Sequence, residues 1–173
     1  MRRTAPEKSE DCGCEDADLE YISRWWIALS FQPEERAFLR ACDTPEEAAA
    51  SPLAADLTVR LRRDDPLGVA ALAALLAQVE EDDHETRFIC KLGLPASRPA
   101  FSEFHFRRLK NCRTLGELYV RLKRALVLLG RKAHVESFAE CFIEWLDAHH
   151  SESEESSEHR QRIYSKWERE YLG

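Results

Sequence analysis

Helix breakers are scarce in this chain, with six glycines and seven prolines in 173 residues. No glycine-rich phosphate loop, nucleophile elbow or HExxH motif is present, which removes the common sequence signatures of an enzyme. No run approaches the roughly 20 apolar residues that cross a bilayer, so a spanning helix is excluded and no membrane partner is expected. The segment MRRTAPEKSEDCGCED has two arginines but no apolar stretch behind them, so it does not read as a signal peptide. The expected location is the cytoplasm. There is no CxxC pair among the six cysteines, and the Cys12-Gly13-Cys14 spacing does not suit zinc. Cys42, Cys90, Cys112 and Cys141 stand far apart and read as reduced, structural thiols. His149 and His150 lie near Asp147, yet neighbours on a helix point about 100° apart, so the pair reads as a helix end. No catalysis, metal or cofactor is expected.

What is present is helix-forming material: 44% apolar and 33% charged residues, rich in Ala, Leu, Glu and Arg. The pattern predicts helices throughout and no strand with alternating polarity. A first helix over residues 18–30 carries a stripe of Leu19, Ile22, Trp26 and Leu29, which places Trp26 in the core and Trp25 off it. Pro33, Pro52 and Pro66 each suit the first turn of a further helix, and Thr44-Pro45-Glu46-Glu47 opens a short turn by the same chemistry. Ser102 caps the next, and Thr114-Leu115-Gly116-Glu117 reads as a capping box for a helix ending near Leu129, with Gly130 as its stop. A helix over residues 134–149, a solvated acidic linker SESEESSE, and a last helix from His159 complete the chain. The expected fold is all-α: two helical bundles joined by the Pro-containing segment LGLPASRPAF. Residues 1–17 read as a disordered acidic tail, 18–97 as the N-terminal bundle, and 98–173 as a C-terminal bundle with a basic surface.

Charge is unevenly distributed. The total is −7, but residues 98–132 hold ten basic side chains against Glu103 and Glu117, a net +8. The flanks are acidic, −9 over residues 1–97 and −6 over residues 133–173. A basic band inside an acidic protein is a local field suited to a polyanion. Leu115, Leu118, Leu122, Ala125, Leu126 and Leu129 form the buried stripe of their helix, which leaves Arg121 and Arg124 on its outer side. Arg131 and Lys132 are expected to project with them if the helix reaches that far. Arg107 and Lys110 form a second row, and His105 and His134 lie within the band. Local acidic partners are missing, unlike on an ordinary exposed helix. The rival reading is a helical scaffold whose basic strip meets an acidic protein.

The blocks LEYISRWWIALSFQPEERAFLRAC, SEFHFRRLKNCRTLGEL and VRLKRALVLLGRKAHVESFAECFIEWL, with the closing RIYSKWEREYL, resemble the CasB family. That family supplies the small subunit of Cascade, the type I-E CRISPR surveillance complex. The resemblance spans about residues 19–172 and implies a non-catalytic, two-bundle helical subunit. It implies contact with the backbone and large subunits and with a second copy of itself within the complex. It also implies a surface that holds crRNA and target DNA, single-stranded or in an R-loop. Carried over by position, Arg98, Arg107, Arg108, Arg121, Lys123, Arg124, Arg131 and Lys132 match the family's basic region, and Lys110 joins them in the band read from charge. His105 and Lys110 stand where the family pattern leads to an arginine and a leucine.

Overall fold

The computed structural model describes residues 16–150 and 153–173. In chain order the elements are α1 (Asp16–Leu29), α2 (Pro33–Ala41), α3 (Pro45–Ala48), α4 (Pro52–Leu61), α5 (Pro66–Leu76), β1 (Glu81–Asp82), α6 (Phe88–Leu92), α7 (Glu103–Lys110), α8 (Leu115–Leu128), β2 (Lys132–Ala133), α9 (Val135–His149) and α10 (Glu154–Leu172). Among the described residues the fold is all-α apart from one short parallel pairing of β1 with β2, which the sequence pattern does not foreshadow. Most of the expected tail, residues 1–15, lies outside the described residues, while Asp16 and Ala17 already belong to α1.

Prolines start these helices and do not break them. Each of α2 to α5 begins on one, where the missing N–H has no intrahelical partner to lose. Thr44, Ser51 and Asp65 complete three of these starts by accepting hydrogen bonds from the N–H groups of Glu47, Ala54 and Gly68.

The helix α5 is apolar all round and buried at every residue from Gly68 to Leu76. It packs against α2, α3 and α4 of the first half of the chain and against α8 and α9 of the second. With α1 lying on α9, and α6 against α9 and α10, the apolar core runs continuously across the proline-containing segment. Gly93 anchors one end of that segment. A Cβ there would lie 2.0 Å from the Tyr171 carbonyl oxygen, so the end of α6 meets α10 at backbone distance. The Tyr171 hydroxyl then donates to the Phe101 carbonyl at 2.7 Å.

Two expectations are corrected. Trp25 is buried with Ile22 and Leu29, whereas Trp26 is half-buried and donates its Nε1–H to the Val79 carbonyl at 3.1 Å. The core face of α1 follows the spacing i, i+3, i+7, and the helix packs against α9, α2 and α4. The acidic stretch near residue 151 is no linker over most of its length. Ser153 accepts from the Ser156 N–H and opens α10 at Glu154, where two glutamates suit the positive helix end. Residues 151 and 152 lie outside the described residues. No described helix is long and apolar enough to cross a membrane.

Candidate nucleic-acid interface

Two helices carry most of the basic band, and short-range chemistry sets their starts. Ser102 accepts from the His105 N–H at 3.3 Å and caps α7. Thr114 accepts from the Glu117 N–H at 3.2 Å and caps α8. The Glu117 carboxylate reaches back to the Arg113 N–H at 3.0 Å, one residue before the partner a capping box uses. Phe106 and Leu109 of α7, and Leu118, Leu122, Ala125 and Leu126 of α8, are buried, so the polar faces turn outward.

Outside that packing lies a groove of about 500 Å³. Phe101, His105 and Arg108 line one wall, and Gly116, Glu117, Val120, Arg121 and Arg124 line the other. Among the described residues, Arg98, Arg108, Arg121 and Arg124 have no carboxylate within ion-pair distance. The Arg108 guanidinium lies 5.6 Å from the centroid of the exposed Phe104 ring. Arg121 is half-buried, and its Nε has no hydrogen-bond partner. The Cys112 thiol is pushed up by burial, an effect its neighbour Arg121 partly opposes. Glu117 is the sole carboxylate on the groove, and one of its oxygens is already held by Arg113.

The nine cations singled out from the sequence therefore divide. Arg108, Arg121 and Arg124 meet in the groove. Arg98 is exposed on the proline-containing segment, outside the groove lining. Arg107 is exposed, with Glu103 one turn away at 3.4 Å, a pairing of little energetic weight. The other four are held elsewhere. Lys110 faces Glu168 at 3.4 Å, and its Nζ lies 5.4 Å from the Phe106 ring centroid. The Lys123 ammonium donates to the Cys42 carbonyl at 2.8 Å beside Asp43, next to the Tyr119 hydroxyl, which donates to the same oxygen at 2.6 Å. Arg131 donates to Gln78 at 2.6 Å, and Lys132 pairs with Glu81 at 2.7 Å, which raises the Lys132 pKa. Arg131 and Lys132 do not continue the strip past Arg124. The helix α8 ends at Leu128, and Gly130 (φ 68°) with Arg131 (φ 62°) turns the chain into β2 against the acidic β1.

Phe101, Gly116 and Val120 are groove residues that charge counting misses. Gly116 and Val120 precede Arg124 at i−8 and i−4, the spacing of one helix face, and this was the available signal. A second basic hollow, about 810 Å³, joins Lys110 and Arg113 to Arg160 of α10. His149 also lines it. This residue stacks on Trp145 with ring centroids 3.9 Å apart, its Nδ1 bonds the Trp145 carbonyl, and its Nε2 meets the Tyr164 hydroxyl at 3.1 Å. Burial holds its pKa below the ordinary value. Asp147 is engaged by Arg63, and among the described residues no three ligating side chains cluster as a metal site would require.

A family model described as CRISPR-associated protein Cse2 matches residues 35–172, from α2 to the end of α10, and so includes the whole groove. No curated protein and no solved structure matches the chain.

Proposed function

Since the chain belongs to the Cse2 family and is thereby a CRISPR-associated subunit of Cascade, we propose that its α7–α8 groove holds crRNA or target DNA by the phosphate backbone and stabilises the R-loop. The observation that carries this reading is the convergence of Arg108, Arg121 and Arg124 with no carboxylate pairing among the described residues. A guanidinium presents a planar fork that fits phosphate oxygens in any sequence. Exchange of a DNA duplex for the guide–target heteroduplex is close to balanced, so backbone contacts from a subunit can tip it. Contacts of this kind position a strand and carry no base code.

The partners that follow are the nucleic acid, the other Cascade subunits and a second copy of this chain within the complex. The subunit brings no chemistry of its own. In support, burial raises the thiols of Cys42, Cys112 and Cys141 and leaves them protonated, which is unsuited to attack. The acidic flanks keep the free subunit off bulk DNA until assembly aligns the groove.

The test is Arg121→Ala with Arg124→Ala in the assembled complex. R-loop formation weakens to the same extent on unrelated targets. The plot of log affinity against log salt flattens by roughly 0.7 per lost contact on a single strand, or about 0.9 on a duplex. Lys132→Ala, whose ammonium is committed to Glu81, changes neither. Full affinity with an unchanged slope in the double variant overturns the reading and assigns the groove to an acidic protein partner.

A further inference from the structure

His105 is the titratable residue of the groove that phosphate contact by arginines leaves without a role. It lines the hollow together with Arg108, Arg121 and Arg124. The ring is half-buried and held by its neighbours. Its centroid lies 5.5 Å from that of the buried Phe101 and 5.6 Å from that of the exposed Phe104, which stands nearly edge-on to it. Its Nδ1 lies 2.7 Å from the Ser102 hydroxyl oxygen, the same atom that accepts the His105 backbone N–H at 3.3 Å and caps α7.

That oxygen decides which ring nitrogen is left for a ligand. Because it already accepts the backbone N–H, its own proton points to Nδ1, and the neutral ring carries its hydrogen on Nε2. When the ring gains a proton, Nδ1–H donates to the oxygen instead, which has lone pairs for both donors. Neither state strands a polar group of this pair, and Nε2–H is offered in both. Among the described residues Nε2 has no hydrogen-bond partner, and no carboxylate lies within ion-pair distance of the ring. The charged groups around it are accounted for. On α7, Glu103 turns to Arg107 at 3.4 Å, and Arg108 has no carboxylate. On α8, Glu117 is held by the Arg113 N–H, and Arg121 and Arg124 are without carboxylates. Behind Phe101, the Tyr171 hydroxyl of α10 donates to the Phe101 carbonyl, and burial raises its pKa. No acid of the fold is left to serve an imidazolium here, and a phosphate group supplies the missing counter-charge.

We propose that His105 is a fourth phosphate contact of the groove and a proton-controlled one: Nε2–H donates at any pH, but the ring adds a positive charge only when protonated. The subunit therefore grips nucleic acid more tightly as pH falls through the range where histidines ordinarily titrate, about pH 8 to pH 5.5. The proposal rests on the nucleic-acid reading above and adds a means of regulation to it. Proton uptake and phosphate contact are reciprocal, so each strengthens the other.

The test is R-loop formation by the assembled complex on a labelled duplex that matches its guide, read at about pH 8 and about pH 6 at fixed salt. The parent is compared with His105→Gln, His105→Arg and the Arg121→Ala/Arg124→Ala variant. The parent binds about two- to fivefold more tightly at the lower pH, the scale of one exposed ion pair. Its plot of log affinity against log salt steepens there by up to roughly 0.9. His105→Gln keeps an N–H donor without a charge and loses this difference, staying at the parent's weaker affinity. His105→Arg holds the tighter affinity at both pH values. A His105→Gln variant that gains as much on acidification as the parent overturns the proposal. So does a His105→Arg variant no tighter than the parent at the higher pH. Both substitutions leave the backbone cap on Ser102 in place, and a thermal melt checks the fold. Should one variant fail to fold, the other decides alone. The two failures are distinct: an arginine variant that still weakens binding leaves phosphate contact standing without His105, and one that weakens nothing removes the nucleic-acid reading itself.

Discussion

Two adjacent tryptophans show how far a single residue depends on its neighbours. Trp25 is buried on the core face of α1 with Ile22 and Leu29, and Trp26 lies half-buried with a hydrogen bond to Val79. Trp25→Ala therefore costs about 3–5 kcal/mol, as large aromatic truncations in cores do. Trp26→Ala costs less, and urea denaturation midpoints of the two variants give the order. His149 is a second case. Desolvation lowers its pKa, and the nearby charge of Arg160 works in the same direction. The unfolded chain then binds more protons than the fold, so this contribution is fully present above about pH 6.5 and is lost as pH falls through the lowered folded value. Urea midpoints taken from pH 7.5 to pH 5 fall less steeply in His149→Gln than in the parent.

Among the elements, the ends of α6 and α10 are the most tightly constrained pair. Gly93→Ala would put a methyl group 2.0 Å from the Tyr171 carbonyl oxygen, and the obstacle is backbone with no rotamer to yield. The α10 terminus must move, which breaks the Tyr171 bond to Phe101 and disturbs the stacked Phe106–Tyr171 rings, 4.1 Å apart. The loss is at least about 2–3 kcal/mol, within the range of overpacked sites. A thermal melt of Gly93→Ala beside the parent checks it, and hydrogen exchange shows α10 opening first. The same addition at Gly116, in the first turn of α8, meets open space and leaves the melt unchanged or raised.

At the scale of the whole molecule, the basic band divides into two sets. Lys123, Arg131 and Lys132 fasten the second half of the chain to the acidic first half, through the Cys42 carbonyl, Gln78 and Glu81. Arg108, Arg121 and Arg124 remain without carboxylate partners on the outside of α7 and α8. Lys123→Met keeps the stem over Tyr119 and removes the ammonium that meets the end of α2. It lowers stability by about 1–2 kcal/mol, the scale of a charge-assisted hydrogen bond that is partly exposed, and leaves nucleic-acid affinity unchanged. Chemical denaturation and anisotropy on one preparation read both quantities. A parallel loss of affinity at constant stability would move Lys123 into the binding surface.

The helical class and most helix starts are legible in the sequence, because prolines at first turns and Ser, Thr or Asp caps act through bonds three residues long. The basic band is legible too, since a run of cations with two acids in 35 residues has no local means of neutralisation. Which of those cations stay without a carboxylate partner follows from long-range packing. Their partners, Cys42 and Asp43 for Lys123, Gln78 for Arg131, Glu81 for Lys132 and Glu168 for Lys110, lie about 50 to 80 residues away along the chain. The core face of α1 was likewise settled by its packing partners, among them α9, which lies more than a hundred residues further on. A periodic pattern names a set of possible faces, and the packing partner selects among them. The groove itself has no sequence signature because its lining joins residues of α7 and α8 to a loop residue, a glycine and a valine, whose meaning depends on the arginines that folding brings around them.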